Sequence, residues 1–167
     1  ILTGASGIGK TRLALEVCRQ QDNGKTKVFC VKSNGNFLYE DIKYYISDSG
    51  KYLIFFDDVN MVVSLDNVLD TILTLPTDFD VKLLFSVRDY AKERVIDAVS
   101  RYVLPNIIEI GRFKDDEIKD ILKSDLEIVN PDYLKKIAEI ANGNIRLAFL
   151  AGMRSINDGY QAIRNAE

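Results

Sequence analysis

The sequence contains no histidine, which excludes any chemistry that needs an imidazole. Its two cysteines, Cys18 and Cys30, fall in a helical pattern and an apolar strand pattern, where small buried hydrophobes belong. Nothing in them argues for disulfides, metal ligation or secretion. No basic-then-apolar leader opens the chain, and the longest apolar runs, such as LIFF and LAFLA, are far too short to span a bilayer. The expected setting is therefore cytoplasmic, with no membrane partner. Basic residues form no stripe and the net charge is −3, so charge does not indicate nucleic acid as the main partner, although a local DNA-binding patch stays open. Internal repeats and low-complexity stretches are also missing.

What is present is 167 residues, 47% apolar and 28% charged, enough for one compact α/β domain and a small appendage. TRLALEVCRQQ sets Leu13, Ala14, Val17 and Cys18 on one helical face before the turn residues Asp22-Asn23-Gly24. KVFCV reads as a buried strand, Asn34-Gly35-Asn36 as a turn, and LYEDIKYYI as a helix with Leu38, Ile42, Tyr45 and Ile46 inward. YLIFF is an unbroken apolar strand ending in Asp57-Asp58. A helix from about Val62 to Leu75 is stopped by Pro76, VKLLFSV is another buried strand, YAKERVIDAV a helix and IIEI a short strand. Apolar strands alternating with helices indicate a parallel sheet covered on both faces, the α/β class. From Gly111 the strands stop, and KDDEIKDILKS, PDYLKKIAEIA and IRLAFLAGMRSI follow as three amphipathic helices. Asn130 and Pro131 open the second and Asn142-Gly143 closes it. The division is a core over 1–111 and a helical lid over 112–167. Ile1-Leu2-Thr3 is shorter than the roughly five residues a central strand needs, and Tyr160 to Glu167 is helical without a stop signal. The chain reads as a segment of a larger polypeptide with a truncated first strand.

Gly4-Ala5-Ser6-Gly7-Ile8-Gly9-Lys10-Thr11 fits G-x-x-x-x-G-K-[ST] without a mismatch, between an apolar strand stub and an amphipathic helix. Gly4, Gly7 and Gly9 permit backbone angles that turn successive N–H groups toward phosphate oxygens. The helix N-terminus near Lys10 adds partial positive charge, and Arg12 lies in its first turn. Lys10 is expected on the β and γ phosphates, and Thr11 offers a hard hydroxyl oxygen to Mg²⁺. A glycine-rich turn that matches by accident is the competing reading.

In parallel sheets ligands bind beyond the carboxyl ends of the strands, where YLIFFDDVN delivers two carboxylates. Asp57 is expected to hold Mg²⁺ and Asp58 to polarise the attacking water as general base. Arg88, at the end of LLFSVRD, suits a γ-phosphate sensor, with Ser86 as a secondary candidate; a surface arginine starting the next helix is the alternative. Arg146 would meet the phosphates if the appendage folds over them. Arg94 and Arg101 are candidate arginine fingers for a neighbouring subunit, or plain solvated helix charges. After Asp57 there is no D-x-x-G, and no N-K-x-D occurs, so adenine is favoured over guanine.

These residues resemble those of the STAND class of P-loop ATPases, the group that includes NB-ARC and NACHT proteins, within the AAA+ group. GASGIGKT is similar to its phosphate loop, LIFFDDVN to its acidic strand, LLFSVRD to its sensor strand and NGNIRLA to its G-N/L-P-x-A lid motif. The resemblance implies a five-stranded parallel sheet with the sensor strand between the loop strand and the acidic strand. It further implies an ATP·Mg²⁺-operated switch in signalling or defence, with ATP and ADP as ligands, flanking sensor and effector domains, and an ATP-dependent homo-oligomer. Ile145 stands where that class often has proline. Asn144-Ile145-Arg146 also looks like the lid of origin-recognition and clamp-loader AAA+ ATPases, which keeps open a DNA-acting alternative. A non-hydrolysing nucleotide-binding module is the other.

Overall fold

The computed structural model describes residues 1–32 and 38–159. The expected turn at Asn34-Gly35-Asn36 and the helical pattern from Tyr160 to Glu167 lie outside the described residues. The chain divides into two compact units, one of residues 1–4 and 10–109, the other of residues 5–9 and 110–167.

The first unit alternates strands and helices: β1 (Leu2–Thr3), α1 (Lys10–Gln21), β2 (Thr26–Lys32), α2 (Leu38–Tyr45), β3 (Gly50–Asp57), α3 (Leu65–Leu73), β4 (Phe79–Phe85), α4 (Lys92–Ser100) and β5 (Ile108–Glu109). All pairings among the described residues are parallel. β2, β3 and β4 form one ladder, β1 and β5 another. A bridge between Leu2 and Ser86 and the Val87 N–H bond to Leu2 O at 2.9 Å join them, so β4 lies between β3 and β1 as expected. Because β1 is two residues long, the sheet is held there by one bridge rather than a full ladder.

β3 is the most buried strand. Tyr52 to Phe56 are all buried, because neighbours on both edges and apolar layers on its faces exclude water. The core on one face is built from Ile42 of α2 and Ile46 just after it, Val68, Leu69 and Ile72 of α3, and Val95 and Val99 of α4. β2 departs from the buried strand expected. It has one partner among the described residues, and its side chains alternate between half-buried and exposed, so Cys30 is exposed rather than buried. Cys18 is buried, and burial pushes its thiol up to about 11. On α1 the inward face is narrower than expected: Ala14 and Cys18 are buried while Leu13 and Val17 are exposed. Tyr45 is likewise exposed. The helix expected from Val62 starts later, at Leu65, because Ser64 takes a left-handed φ of 56° and breaks the run.

The second unit packs α5 (Asp115–Leu126), α6 (Pro131–Ala141) and α7 (Ile145–Asn157) around Ile118, Leu122, Ile128, Leu134, Ile137, Ala138 and Ala148. Gly152 sits where a Cβ would lie 2.7 Å from Leu126 Cδ1, so a side chain there would push that leucine aside. The cap of α6 is as the sequence predicts: Asn130 Oδ1 accepts the N–H groups of Asp132 and Tyr133 at 3.0 and 3.3 Å, Pro131 opens the helix, and Asn142 closes it at φ 45°. No described helix is long and apolar enough to cross a membrane.

Because Asn130 is wholly buried, its cap bonds have no water to replace them. Asn130→Ala is expected to lower unfolding free energy by about 1–2 kcal/mol, and Asn130→Thr, which keeps an acceptor, by less. Urea denaturation checks both.

Candidate functional site

The parallel register of β3 and β4 pairs Phe56 with Phe85, which brings the residues following each strand together at the sheet's carboxyl edge. Ser86 is the joint. Its hydroxyl donates to Asp57 Oδ1 at 2.7 Å and accepts the Asp58 N–H at 2.8 Å. The Thr11 hydroxyl, in the first turn of α1, donates to the same Asp57 oxygen at 2.7 Å. Three elements thus converge on one carboxylate.

Asp58 adopts a left-handed backbone, φ 47° and ψ 54°, which aspartate tolerates better than most residues. A 3-10 turn over Val59–Met61 follows, closed by the Met61 N–H bond to Asp58 O at 2.8 Å. The side chain of Asp58 is taken by Arg88, whose Nη2 and Nε donate to its two oxygens at 2.7 and 3.3 Å. This two-point bond to Asp58 raises the pKa of the guanidinium further. Asn60 ties the two turns together. It is buried, its Nδ2 donates to the Tyr90 hydroxyl at 3.1 Å, and its carbonyl accepts from Arg94 Nη2 at 2.9 Å.

Lys10 is only 7% exposed. Its Nζ donates to the Gly4 carbonyl at 2.6 Å. Burial lowers its pKa from the ordinary lysine value, and the nearby carboxylates of Asp89, Asp58 and Asp57 oppose that shift. A poorly hydrated ammonium at such a place gains more from an incoming anion than one in water does.

In the second unit, Gly7 and Gly9 have φ of 82° and 94°, and in the first Gly4 has 138°. These are angles that side chains rarely adopt. Asn144 caps α7 by accepting the Leu147 N–H at 3.1 Å, and its Nδ2 donates to Ser6 O, also at 3.1 Å. The Arg146 backbone N–H donates to Gly7 O at 3.0 Å, while the Arg146 side chain is exposed. A cavity of about 290 Å³ lies beside these residues, lined among others by Ala5, Ile8, Arg112, Ile140, Asn142 and Leu147.

Of the residues singled out by sequence, Lys10, Thr11, Asp57, Asp58, Ser86 and Arg88 come together. Arg12 is exposed on α1. Arg94 is engaged within its own chain, and Arg101 is paired with Asp66 at 3.2 Å on the surface. Sequence reasoning missed Asn60, and for Asn144, named only as part of the lid motif, it missed the helix cap and the bond to Ser6. Asn144 carried one usable signal, its place three residues before Leu147 at a helix start.

The donor set fits magnesium. Thr11 and Asp57 present hard oxygens to one point, with a buried hydroxyl behind them orienting the carboxylate. Within the first unit, the N-terminus of α1 and the buried Lys10 ammonium suit an anion.

The α/β fold, a parallel sheet with helices, is shared with solved structures of RuvB and Orc1. No protein-family model matches the chain, and no curated protein is similar to it in sequence. Among solved structures, a P216G mutant of Thermotoga maritima RuvB superposes with a TM-score of 0.74 at 17% identity, over 93% of this chain and 54% of that one. Aeropyrum pernix Orc1, solved in complex with DNA, gives 0.74 at 18% identity over 98% and 56%. Thermotoga maritima RuvB described as the Holliday junction branch migration motor gives 0.69 at 20% over 93% and 53%. The chain spans about half the length of these structures.

Removing the Ser86 hydroxyl frees Asp57 to turn. Ser86→Ala is expected to weaken magnesium binding at the nucleotide-loaded site by about tenfold or more while leaving affinity for magnesium-free nucleotide unchanged. Calorimetric titrations with and without magnesium check it, and an equal loss in both would give Ser86 a purely structural part.

Proposed function

We propose that this chain is an ATP-binding and hydrolysing switch, in which the γ-phosphate is read by Arg88. The observation that carries the reading is the two-point bond between Arg88 and Asp58 beside the Thr11–Asp57 oxygen pair. Asp58 occupies the Nε–Nη2 face of Arg88, and a γ-phosphate would compete for that face. ATP would draw Arg88 onto the phosphate and release Asp58, whereas ADP would leave the pair closed.

In this reading the backbone of Gly4, Ala5, Ser6, Gly7, Ile8 and Gly9 cradles the phosphates, with Lys10 on the β and γ groups and Arg12 and Arg146 as outlying cations. Thr11 and Asp57 hold Mg²⁺, which neutralises phosphate charge when bound. Asp58, once free, accepts a proton from water as the water oxygen bonds to the γ-phosphorus and the bond to the ADP oxygen breaks. The helical residues 112–167 serve as a lid to the core 1–111, and lid position and homo-oligomerisation follow the nucleotide. LIFFDDVN, LLFSVRD and NGNIRLA support the finer STAND-type assignment, with flanking sensor and effector domains, in signalling or defence. The fold neighbours support the coarser AAA+ one.

A second reading has an observation of its own. Orc1 was solved with DNA and RuvB is described as a branch-migration motor, so a DNA-acting AAA+ ATPase fits the same fold. Stimulation of turnover by duplex or branched DNA would favour it. Dependence of turnover on Arg101 supplied by a second subunit would point the same way.

ATP binding and phosphate release are to be compared in the wild type, Lys10→Ala, Asp58→Asn and Arg88→Ala. Lys10→Ala is expected to lose ATP binding at least tenfold, and Asp58→Asn to bind but release phosphate at least a hundredfold more slowly. Arg88→Ala is expected to lose its discrimination between ATP and ADP. Equal binding by wild type and Lys10→Ala would sink the proposal, and tight binding with no phosphate release in any form would make the chain a non-hydrolysing module. Affinity should also fall on the alkaline side. Burial lowers the Lys10 pKa, so the ammonium is lost, and binding with it, as pH rises through a value below the ordinary lysine range. A binding titration against pH that stays flat up to that range would contradict this.

A further inference from the structure

The interior of the phosphate loop and the start of α7 share hydrogen bonds that neither could replace alone. A loop whose N–H groups turn inward must send its carbonyls outward, and an outward carbonyl needs a donor. Ser6 O receives Asn144 Nδ2 and Gly7 O receives the Arg146 N–H. On the helix side, Arg146 and Leu147 belong to the first turn, whose N–H groups have no partner within the helix. Leu147 is satisfied by Asn144 Oδ1, and Arg146 by the loop. Asn144 therefore spends its acceptor on its own helix and its donor on the loop. The packing is close enough that a Cβ on Gly7 would run into the Asn144 carboxamide, which adds a steric requirement for glycine to the one set by its φ of 82°.

We propose that Asn144 is a positioning residue for nucleotide binding, holding the loop in its phosphate-ready shape from outside and tying that shape to the first turn of α7. The inference rests on the phosphate-loop reading and deepens it. Asn144 touches no phosphate in this role; it acts through the carbonyl of Ser6. Coupling of this kind is reciprocal, so phosphate that stabilises the loop also stabilises the clamp and the α7 start.

The two functions of the side chain separate chemically. Asn144→Ser and Asn144→Asp keep an oxygen for the Leu147 N–H but lose the donor to Ser6, whereas Asn144→Ala loses both. Binding of ADP and of pyrophosphate, each without magnesium, is measured together with the thermal midpoint of the ligand-free protein. The expected result is an affinity loss of about tenfold in all three variants, with a midpoint close to wild type in Asn144→Ser and lowered in Asn144→Ala. Wild-type affinity in Asn144→Ser overturns the proposal. So does an affinity loss in the three variants that merely follows the midpoint. A wild-type protein that binds neither probe defeats the phosphate-loop reading itself, an outcome distinct from either.

Discussion

The pairing of Phe56 with Phe85 in parallel register is the constraint on which the functional edge depends. It sets Asp57 and Asp58 level with Ser86 and Arg88, so that a hydroxyl and a guanidinium each find a carboxylate without a long connection. A slip of one residue would turn every side chain of β4 to the other face. The hydrophobic pattern forbids it: Phe85 and Phe56 are both buried, their rings 5.3 Å apart, and a shifted β4 would place Leu84 or the polar Ser86, according to direction, opposite Phe56. Core packing thus fixes the position of polar groups that contribute little to the core themselves.

The same edge holds two of the expected roles in opposition. Asp58 as base and Arg88 as sensor are each reasonable alone, yet the structure has them bound to one another. In the proposed reading a γ-phosphate competes with Asp58 for Arg88, and the closed pair is the arrangement the structure holds. The left-handed backbone of Asp58, fastened by Ser86 below and the 3-10 turn above, keeps the carboxylate facing Arg88. Asn60 and Arg94 brace the turn from its other side.

Local chemistry made part of this legible in sequence. The glycine loop, Lys10, Thr11 and the cap of α6 at Asn130 and Asn142 depend on neighbours a few residues away, and the spacing states them. Strand order came from the resemblance of several motifs in series. Burial was less legible, because it depends on what lies across space: β2 was expected to be covered and has one partner among the described residues, while Leu13 and Val17 fit a helical stripe that the sheet does not fully meet. Ser64 gave no warning of a left-handed angle, since serine has no strong preference for one. The roles of Asn60 and Asn144 were hidden for a further reason, as their partners, Tyr90, Arg94 and Ser6, are from 30 to 138 residues distant along the chain.

The contrast between the two thiols has a practical side. Cys30 is exposed on β2, whereas Cys18 is buried with its thiol held protonated. Toward an alkylating reagent Cys30 is therefore the accessible thiol of the two. A fluorophore attached there would sit within hydrogen-bond reach of Cys18, against the helix that begins with Lys10. Native chemistry therefore supplies an optical probe beside α1 without any engineered residue.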